Sequence, residues 1–364
     1  MRKETNWAYW IAGQAGVIPV ALGMPGVAKT QTTRALARRA GRIFLPIMLD
    51  QVLPEDLGGY PVVRQLEHDG ATLDVMRRVL DEKFIQARLQ PSVMLIDELT
   101  NVGHAQQAAA LQLMAEGIAG CWMFGAANPP EQAAAGVELT PPMVNRLCIL
   151  HWEIDRDAIL TGWRAGLQFP EPDVPLLPDD WREHLTKWGL LMCEFMARFP
   201  DLLDAYPRDP AQASMPFPSP RAWTHVVTLC AAAESVGASE STRAKLVHGC
   251  VGVAAATQFL TWLSQQDLPD PESVLANPSS LKLPQRGDLA MAVISSVLQC
   301  VRGKPTPERW EAGRDVLGVA FGQSQEIAVA AYGTLWKSKP VAHQPRLRDG
   351  VFTEMNKLIL GVQS

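Results

Sequence analysis

Eight consecutive residues, Gly23-Met24-Pro25-Gly26-Val27-Ala28-Lys29-Thr30, combine a backbone able to turn tightly with one ammonium and one hydroxyl. Glycine allows a turn in which several N–H groups point at a single anion. A helix opening at Lys29 adds the favourable partial charge of its N-terminus. The chemistry this suits is phosphate binding. Gly23, Pro25, Gly26, Val27, Ala28 and Gln31 are expected to line the phosphates of a nucleotide. Lys29 would reach the β- and γ-phosphates, and the Thr30 hydroxyl would ligate Mg²⁺. Ala28 stands where the pattern G-x-x-x-x-G-K-[ST] has its second glycine, and as the smallest side chain after glycine it still permits close approach. The plain alternative is a Gly/Pro turn that binds nothing.

Three further elements fit the same chemistry. Val93-Met94-Leu95-Ile96-Asp97-Glu98 is an apolar run that delivers two adjacent carboxylates, where ligands sit in open parallel sheets. Asp97 would hold Mg²⁺ through water, and Glu98 would polarise the attacking water as general base. Acids often follow strands, so this pair gains its weight from the phosphate loop upstream. Asn128, in Ala126-Ala127-Asn128-Pro129, offers an amide to orient that water, although an Asn-Pro turn alone would read the same. Arg146 and Arg221 are candidates to stabilise charge beside the γ-phosphate, a contribution of about 10³–10⁵ in rate where it operates. Taken singly, each would more often form a structural ion pair.

These groups need elements to hold them. Strands are expected at Val17–Leu22, Ile43–Leu49, Val93–Ile96, Cys121–Ala127 and Leu147–Trp152. Helices are expected at Lys29–Arg39 and Gln106–Glu116. That alternation argues for a parallel sheet flanked by helices. Beyond residue 155 the pattern is helical. Trp181, Leu185, Trp188, Met192 and Phe195 share one apolar face, capped by Asp179 or Asp180, and read as core packing. Helices also fit 220–236 and 239–265, whereas 267–287 reads as a linker rich in Pro, Ser and Asp. The expected division is a nucleotide-binding α/β part over 1–154, an all-helical lid over 155–265, and a helical C-terminal region over 266–364.

A chain of 364 residues at about 150 residues per domain suits about two domains. Hydrophobic residues at 47% and charged residues at 20% suit a globular protein. A net charge of −5 disfavours a nucleic-acid partner. Arg34, Arg38, Arg39 and Arg42 share a helix face and read as solvated. The six cysteines are far apart and without metal-ligand spacing, so they read as buried free thiols in a reducing compartment. The stretch after Arg2 and Lys3 superficially resembles a signal peptide, but it runs directly into the phosphate loop. With no apolar run of about 18 residues, a cytoplasmic protein without membrane contact is expected.

In order and spacing these elements resemble the AAA+ superfamily, and within it the MoxR family, over about residues 15–260. The MoxR phosphate loop is close to G-x-P-G-x-A-K-[ST], so Ala28 matches it. Leu99 to Asn101 followed by Gln107 to Glu116 is similar to the family's segment after the paired acids. Phe124 to Gln132 resembles its sensor 1 segment. Pro142 to Leu147 resembles the stretch carrying the arginine finger, with Asn145 where an aspartate is usual. Ser219-Pro220-Arg221-Ala222 resembles the sensor 2 motif of the lid. Asp56 to Gly70 resembles the helix-2 insert, read as a β-hairpin over about 58–72 with its turn near Asp69-Gly70.

The resemblance implies an ATP- and Mg²⁺-dependent ATPase assembled as a homo-oligomer, typically a hexameric ring, that remodels or activates a partner. In this family the insert lies near the central pore of the ring. The typical partner carries a von Willebrand factor A-type domain. Arg146 of one subunit would complete the site of its neighbour. Adenine contacts are expected from Trp7 to Gly16 and from the lid. Two other readings stand beside it: a nucleotide-gated assembly switch with little hydrolysis, and a DNA-handling AAA+ protein. The acidic balance disfavours the second.

Overall fold

A computed structural model of the chain describes residues 2–133, 136–168, 170–265, 269–340, 343 and 355. Contacts group the chain into two compact units: Met1–Leu177 with Asp201–Thr257, and Pro178–Pro200 with Gln258–Ser364.

The first unit is built on strands. In chain order they are β1 (Ile18–Leu22), β2 (Ile43–Met48), the hairpin strands β3 (Tyr60–His68) and β4 (Ala71–Val79), β5 (Ser92–Asp97), β6 (Cys121–Ala127) and β7 (Leu147–His151). All but the hairpin join one sheet in the order β2-β5-β6-β1-β7, and every pairing in it is parallel. β5 is buried at every position. An apolar run without alternation is what a parallel strand covered on both faces requires. The helices that precede, connect and follow these strands are α1 (Arg2–Gln14), α2 (Lys29–Arg39), α3 (Pro54–Gly58), α4 (Glu82–Leu89), α5 (His104–Glu116), α6 (Pro141–Val144) and α7 (Arg156–Arg164). The α/β layering expected from the sequence is therefore present, and the remainder of the chain is mostly helical.

α1 is an element the sequence reading did not anticipate. Its Tyr9, Trp10 and Ile11 are fully buried. The Trp10 ring packs on Trp122 and Phe124 of β6 at 5.3 and 5.4 Å. The Tyr9 hydroxyl lies 3.1 Å from the Thr33 hydroxyl and donates to the Gly125 carbonyl over 3.3 Å, tying α1 to α2 and β6.

The hairpin is present and longer than expected, with register running from Tyr60↔Val79 to His68↔Ala71. Its turn residues Asp69 and Gly70 both have positive φ. It stands in solvent: facing residues Val63 and Met76 are 70% and 73% exposed.

After α7 come α8 (Leu185–Arg198), α9 (Pro220–Ser235), α10 (Glu240–Val251) and α11 (Val253–Ser264). They are followed by α12 (Pro271–Ala276), α13 (Gly287–Gly303), α14 (Pro307–Gln323) and α15 (Gln325–Lys337). The tryptophan face of 181–198 is core in the second unit, with Trp181, Trp188, Met192 and Phe195 buried. Its first turn, Trp181–His184, is 3₁₀, and Asp180 precedes it without a side-chain capping bond.

Several expectations are corrected. The helix read over 239–265 breaks at Gly252, whose φ of 79° and close approach to the Pro216 carbonyl exclude any other side chain. The stretch read as a linker contains α12, capped by Asp270 and opened by Pro271, with Val274 and Leu275 buried. Its residues 266–268 lie outside the described ones. Three of the six cysteines are buried, Cys148, Cys230 and Cys250, while Cys193 is exposed. The arginine cluster is engaged as well as solvated. Arg38 pairs with Glu171 at 2.7 Å, Arg39 with Asp173 at 3.3 Å, and Arg42 lies 3.4 Å over the Trp122 ring. Among the described residues no helix is long and apolar enough to cross a membrane.

Candidate active site

Strand order decides where the chemistry sits. β5, β6 and β1 are neighbours, so residues at their C-terminal ends converge at one edge of the sheet, where the direction of chain crossing reverses. β1 delivers Gly23 to Thr30, β5 delivers Asp97 and Glu98, and β6 delivers Asn128.

The loop after β1 is braced from below. The Gly23 N–H donates to the Ala127 carbonyl at 3.1 Å. A Cβ on Gly23 would stand 2.3 Å from the Trp152 carbonyl oxygen. The Trp152 indole donates to the Val27 carbonyl at 3.3 Å. Ala28 precedes α2 in the left-handed region, φ 62° and ψ 31°, a conformation that costs a non-glycine residue about 1 kcal/mol and that neighbours must hold.

Lys29 is buried and points back into its own loop. Its ammonium donates to the Gly23 and Met24 carbonyls and to Asn128 Oδ1 at 2.7 Å. Burial holds its pKa below the usual lysine value, against the pull of Asp97 and Glu98. The other end of the Asn128 amide donates to Glu98 Oε2 at 3.1 Å. Thr100 clamps the Asn128 backbone, its hydroxyl donating to the Asn128 carbonyl at 2.8 Å and accepting from the Asn128 N–H at 3.2 Å. Glu98 itself has φ 64°, a strained backbone for a side-chain-bearing residue. Its N–H donates to Asp97 Oδ1 at 2.9 Å. Burial first, then the negative neighbours Asp97 and Asp50, raise the Glu98 pKa.

The Thr30 hydroxyl donates to Asp97 Oδ2 at 2.6 Å. A hydroxyl beside a buried carboxylate is a hard-oxygen pair of the kind that binds Mg²⁺ together with phosphate oxygens and water. These two residues therefore fit the ion. When bound it would neutralise phosphate charge.

The side chains open into a cavity of about 1060 Å³. Pro25, Gly26, Val27, Ala28, Lys29, Thr30, Gln31, Asp97, Glu98 and Asn128 all line it. Gly23 sits beneath, in contact with Lys29 through its carbonyl. Beyond the phosphate loop the cavity continues to Lys3 and Asn6 of α1, to Ile159 and Trp163 of α7, and to the segment Pro170–Asp173. That segment is held by the Arg38 and Arg39 pairs and by the Trp7 indole, which donates to the Asp173 carbonyl at 2.8 Å.

Arg146 and Arg221 do not join this group. Neither lines the cavity. Arg146 immediately precedes β7, whose first residue pairs with Ile18 at the start of β1. It thus stands at the opposite end of the sheet, about 16 Å along the strands from the loop after Leu22. The Arg146 guanidinium donates to the Pro142 carbonyl at 2.8 Å. Its pKa is lowered by burial and by the positive charge of Arg221. The Ser219 hydroxyl, which also caps α9, donates to Asn145 Oδ1. The two arginines therefore belong to one neighbourhood, away from their own chain's phosphate loop.

Sequence reasoning missed Thr100, Trp152, Trp163 and Asn6. Trp152 follows β7 directly and Thr100 stands three residues after β5, so their closeness to strand ends was the available signal. Trp163 and Asn6 reach the cavity only through tertiary packing.

Residues 20–134 match the family described as "ATPase family associated with various cellular activities (AAA)". Among solved structures the chain is similar to a full-length MCM homologue from Methanopyrus kandleri, with 15% identity and a TM-score of 0.30 over 72% of this chain and 54% of that one. The chain thus spans about half the length of that structure. No curated protein matches it. The phosphate loop, the paired acids and the asparagine, at the ends of three adjacent parallel strands, all fall within the region that matches this family.

Proposed function

We propose that the protein is a MoxR-like AAA+ ATPase that couples Mg²⁺-dependent ATP binding and hydrolysis to remodelling or activating a partner protein, and that it works as a ring, in the hexameric form usual for such proteins. The observation that carries this reading is the separation of two half-sites on one chain. Lys29, Thr30, Asp97, Glu98 and Asn128 line one cavity. Arg146 and Arg221 lie together at the far end of the sheet. Like charges placed side by side repel, and a polyanion offsets that cost. The triphosphate of a neighbouring copy supplies such an anion, and the two half-sites then complete one another between subunits.

In this reading Lys29 binds the β- and γ-phosphates, and Thr30 and Asp97 hold the Mg²⁺. Glu98 accepts a proton from the attacking water, and Asn128 positions Glu98. The arginines stabilise transition-state charge. The division at residues 154 and 265 into nucleotide-binding part, lid and C-terminal region belongs to this proposal, as does a cytoplasmic setting. So does a partner bearing a von Willebrand factor A-type domain, which rests on the resemblance of the motifs. The exposed hairpin β3–β4 is the element assigned to contact the protein being remodelled.

A nucleotide-gated switch with little hydrolysis is the second reading. One observation favours it: the Lys29 ammonium is already satisfied by its own loop and by Asn128. ATP hydrolysis measured against protein concentration, beside Lys29→Ala and Glu98→Gln, separates the two. Specific activity that rises with concentration and vanishes in both variants supports the motor. Binding without turnover at any concentration supports the switch.

A further inference from the structure

Both ends of the turn after β1 rest on one residue, Trp152, which directly follows β7. Its backbone addresses the start of the turn. The Trp152 N–H donates to the Leu22 carbonyl at 2.7 Å, and its carbonyl oxygen would stand 2.3 Å from a Cβ placed on Gly23. Its side chain addresses the other end, where the indole N–H donates to the Val27 carbonyl at 3.3 Å. The indole is itself held. Trp152 is 4% exposed, and the Tyr9 ring meets it edge to face with 5.1 Å between centroids. The Tyr9 hydroxyl in turn is tied to Gly125 and Thr33.

Fixing the Val27 carbonyl fixes the next N–H as well. In a planar trans peptide the carbonyl of one residue and the N–H of the next point in opposite directions. With the Val27 carbonyl turned inward to a buried indole, the Ala28 N–H is turned away from it. Ala28 is exposed and lines the cavity. Its N–H has no hydrogen-bond partner among the described residues. This peptide orientation also leaves Ala28 at φ 62°, a conformation that alanine does not favour unaided. Rotating the peptide relieves that strain and carries the N–H away from the cavity. The indole bond opposes the rotation.

We propose that Trp152 is a positioning residue for phosphate binding: by holding the Val27 carbonyl, it keeps the Ala28 N–H directed at the anion. The proposal rests on the reading that this loop binds phosphate. The indole acts through the loop and does not itself line the cavity. Without its bond, the strain at Ala28 favours the rotated peptide by roughly 5-fold, and apparent affinity falls with the competent fraction. Ala28→Gly removes that bias, because glycine takes both conformations about equally.

The test is equilibrium binding of inorganic pyrophosphate and of ADP to the full chain, for wild type, Trp152→Phe, Ala28→Gly and the double variant. Phenylalanine keeps an aromatic ring beside Tyr9 and removes the N–H. Trp152→Phe is expected to weaken pyrophosphate and ADP alike, by about 5-fold. On top of Ala28→Gly, the same substitution is expected to cost only about 2-fold. A packing role alone predicts equal losses with and without Ala28→Gly. Benzothienylalanine at position 152, which has the shape of tryptophan without its N–H, serves should the phenylalanine variant not fold. Unchanged affinity on loss of the N–H overturns the proposal, as does a loss of the same size with and without Ala28→Gly. Either result leaves the phosphate reading standing. Wild type that binds neither pyrophosphate nor ADP overturns both.

Discussion

Asn128 donates its side-chain amide to Glu98 across 3.1 Å, and the carbonyl end of the same amide holds the Lys29 ammonium. One side chain thus joins the group assigned to bind phosphate to the group assigned to activate water. In the proposed function, Lys29 turning to a phosphate would release the Oδ1 of Asn128 while its bond to Glu98 could be kept. Asn128→Ala is expected to lower kcat by about 10²-fold and to change ADP affinity by less than about 3-fold. Steady-state kinetics and ADP titration check it, and an unchanged kcat would remove Asn128 from the account.

Glu98 must be ionised to accept a proton, and its pKa is raised by burial and by Asp97 and Asp50. In its proposed role, activity is therefore expected to be lost as pH falls through a value above the ordinary glutamate pKa. Asp50 is exposed and outside the site. Asp50→Asn removes one negative neighbour, stabilises the carboxylate and moves the acid limb of kcat/KM to lower pH. A limb that moves upward or not at all contradicts the assignment.

Ala28 occupies a left-handed conformation, at a cost of about 1 kcal/mol. Ala28→Gly relieves that strain but adds freedom to the unfolded chain, worth about 0.4–1 kcal/mol. The variant is expected to be as stable as wild type or up to about 1 kcal/mol more stable, and to keep nucleotide binding. Denaturant unfolding with and without ADP measures both. A clear loss of stability would show that the alanine methyl packs.

His225 lies one turn after Arg221 on α9, with Nδ1 buried and without a partner among the described residues. Burial first, and then Arg221, lower its pKa to about 4. The folded state therefore resists a proton that the unfolded chain accepts near pH 6.5. Stability falls as pH drops below that unfolded value and levels off below the folded one. Between pH 7 and pH 5 the loss attributable to this residue is at most about 2 kcal/mol. His225→Gln should flatten that part of the urea-midpoint profile, and an unaltered profile would assign the loss elsewhere.

Much of the sheet was legible because each strand carries its own signal. The apolar run Val93–Ile96 of β5 leads into two acids, and β6 is followed by Asn128-Pro129. Strand order was not legible, yet it is what brings Asp97, Asn128 and Lys29 together. α12 announces itself by Asp270-Pro271-Glu272, a cap, a first-turn proline and an acid, but its richness in turn residues masked it. Gly252 breaks a helix whose apolar pattern runs straight through, because the contact with Pro216 is tertiary.

The relation between Glu98 and Arg146 is tested most directly by mixing two inactive proteins. Glu98→Gln and Arg146→Ala are each expected to bind ADP and to turn over no ATP. Mixed in equal amounts, they are expected to form interfaces in which Glu98 comes from one chain and Arg146 from the other, and ATP hydrolysis should return. Full activity in Arg146→Ala alone, or a mixture as silent as its components, would contradict a site shared between subunits.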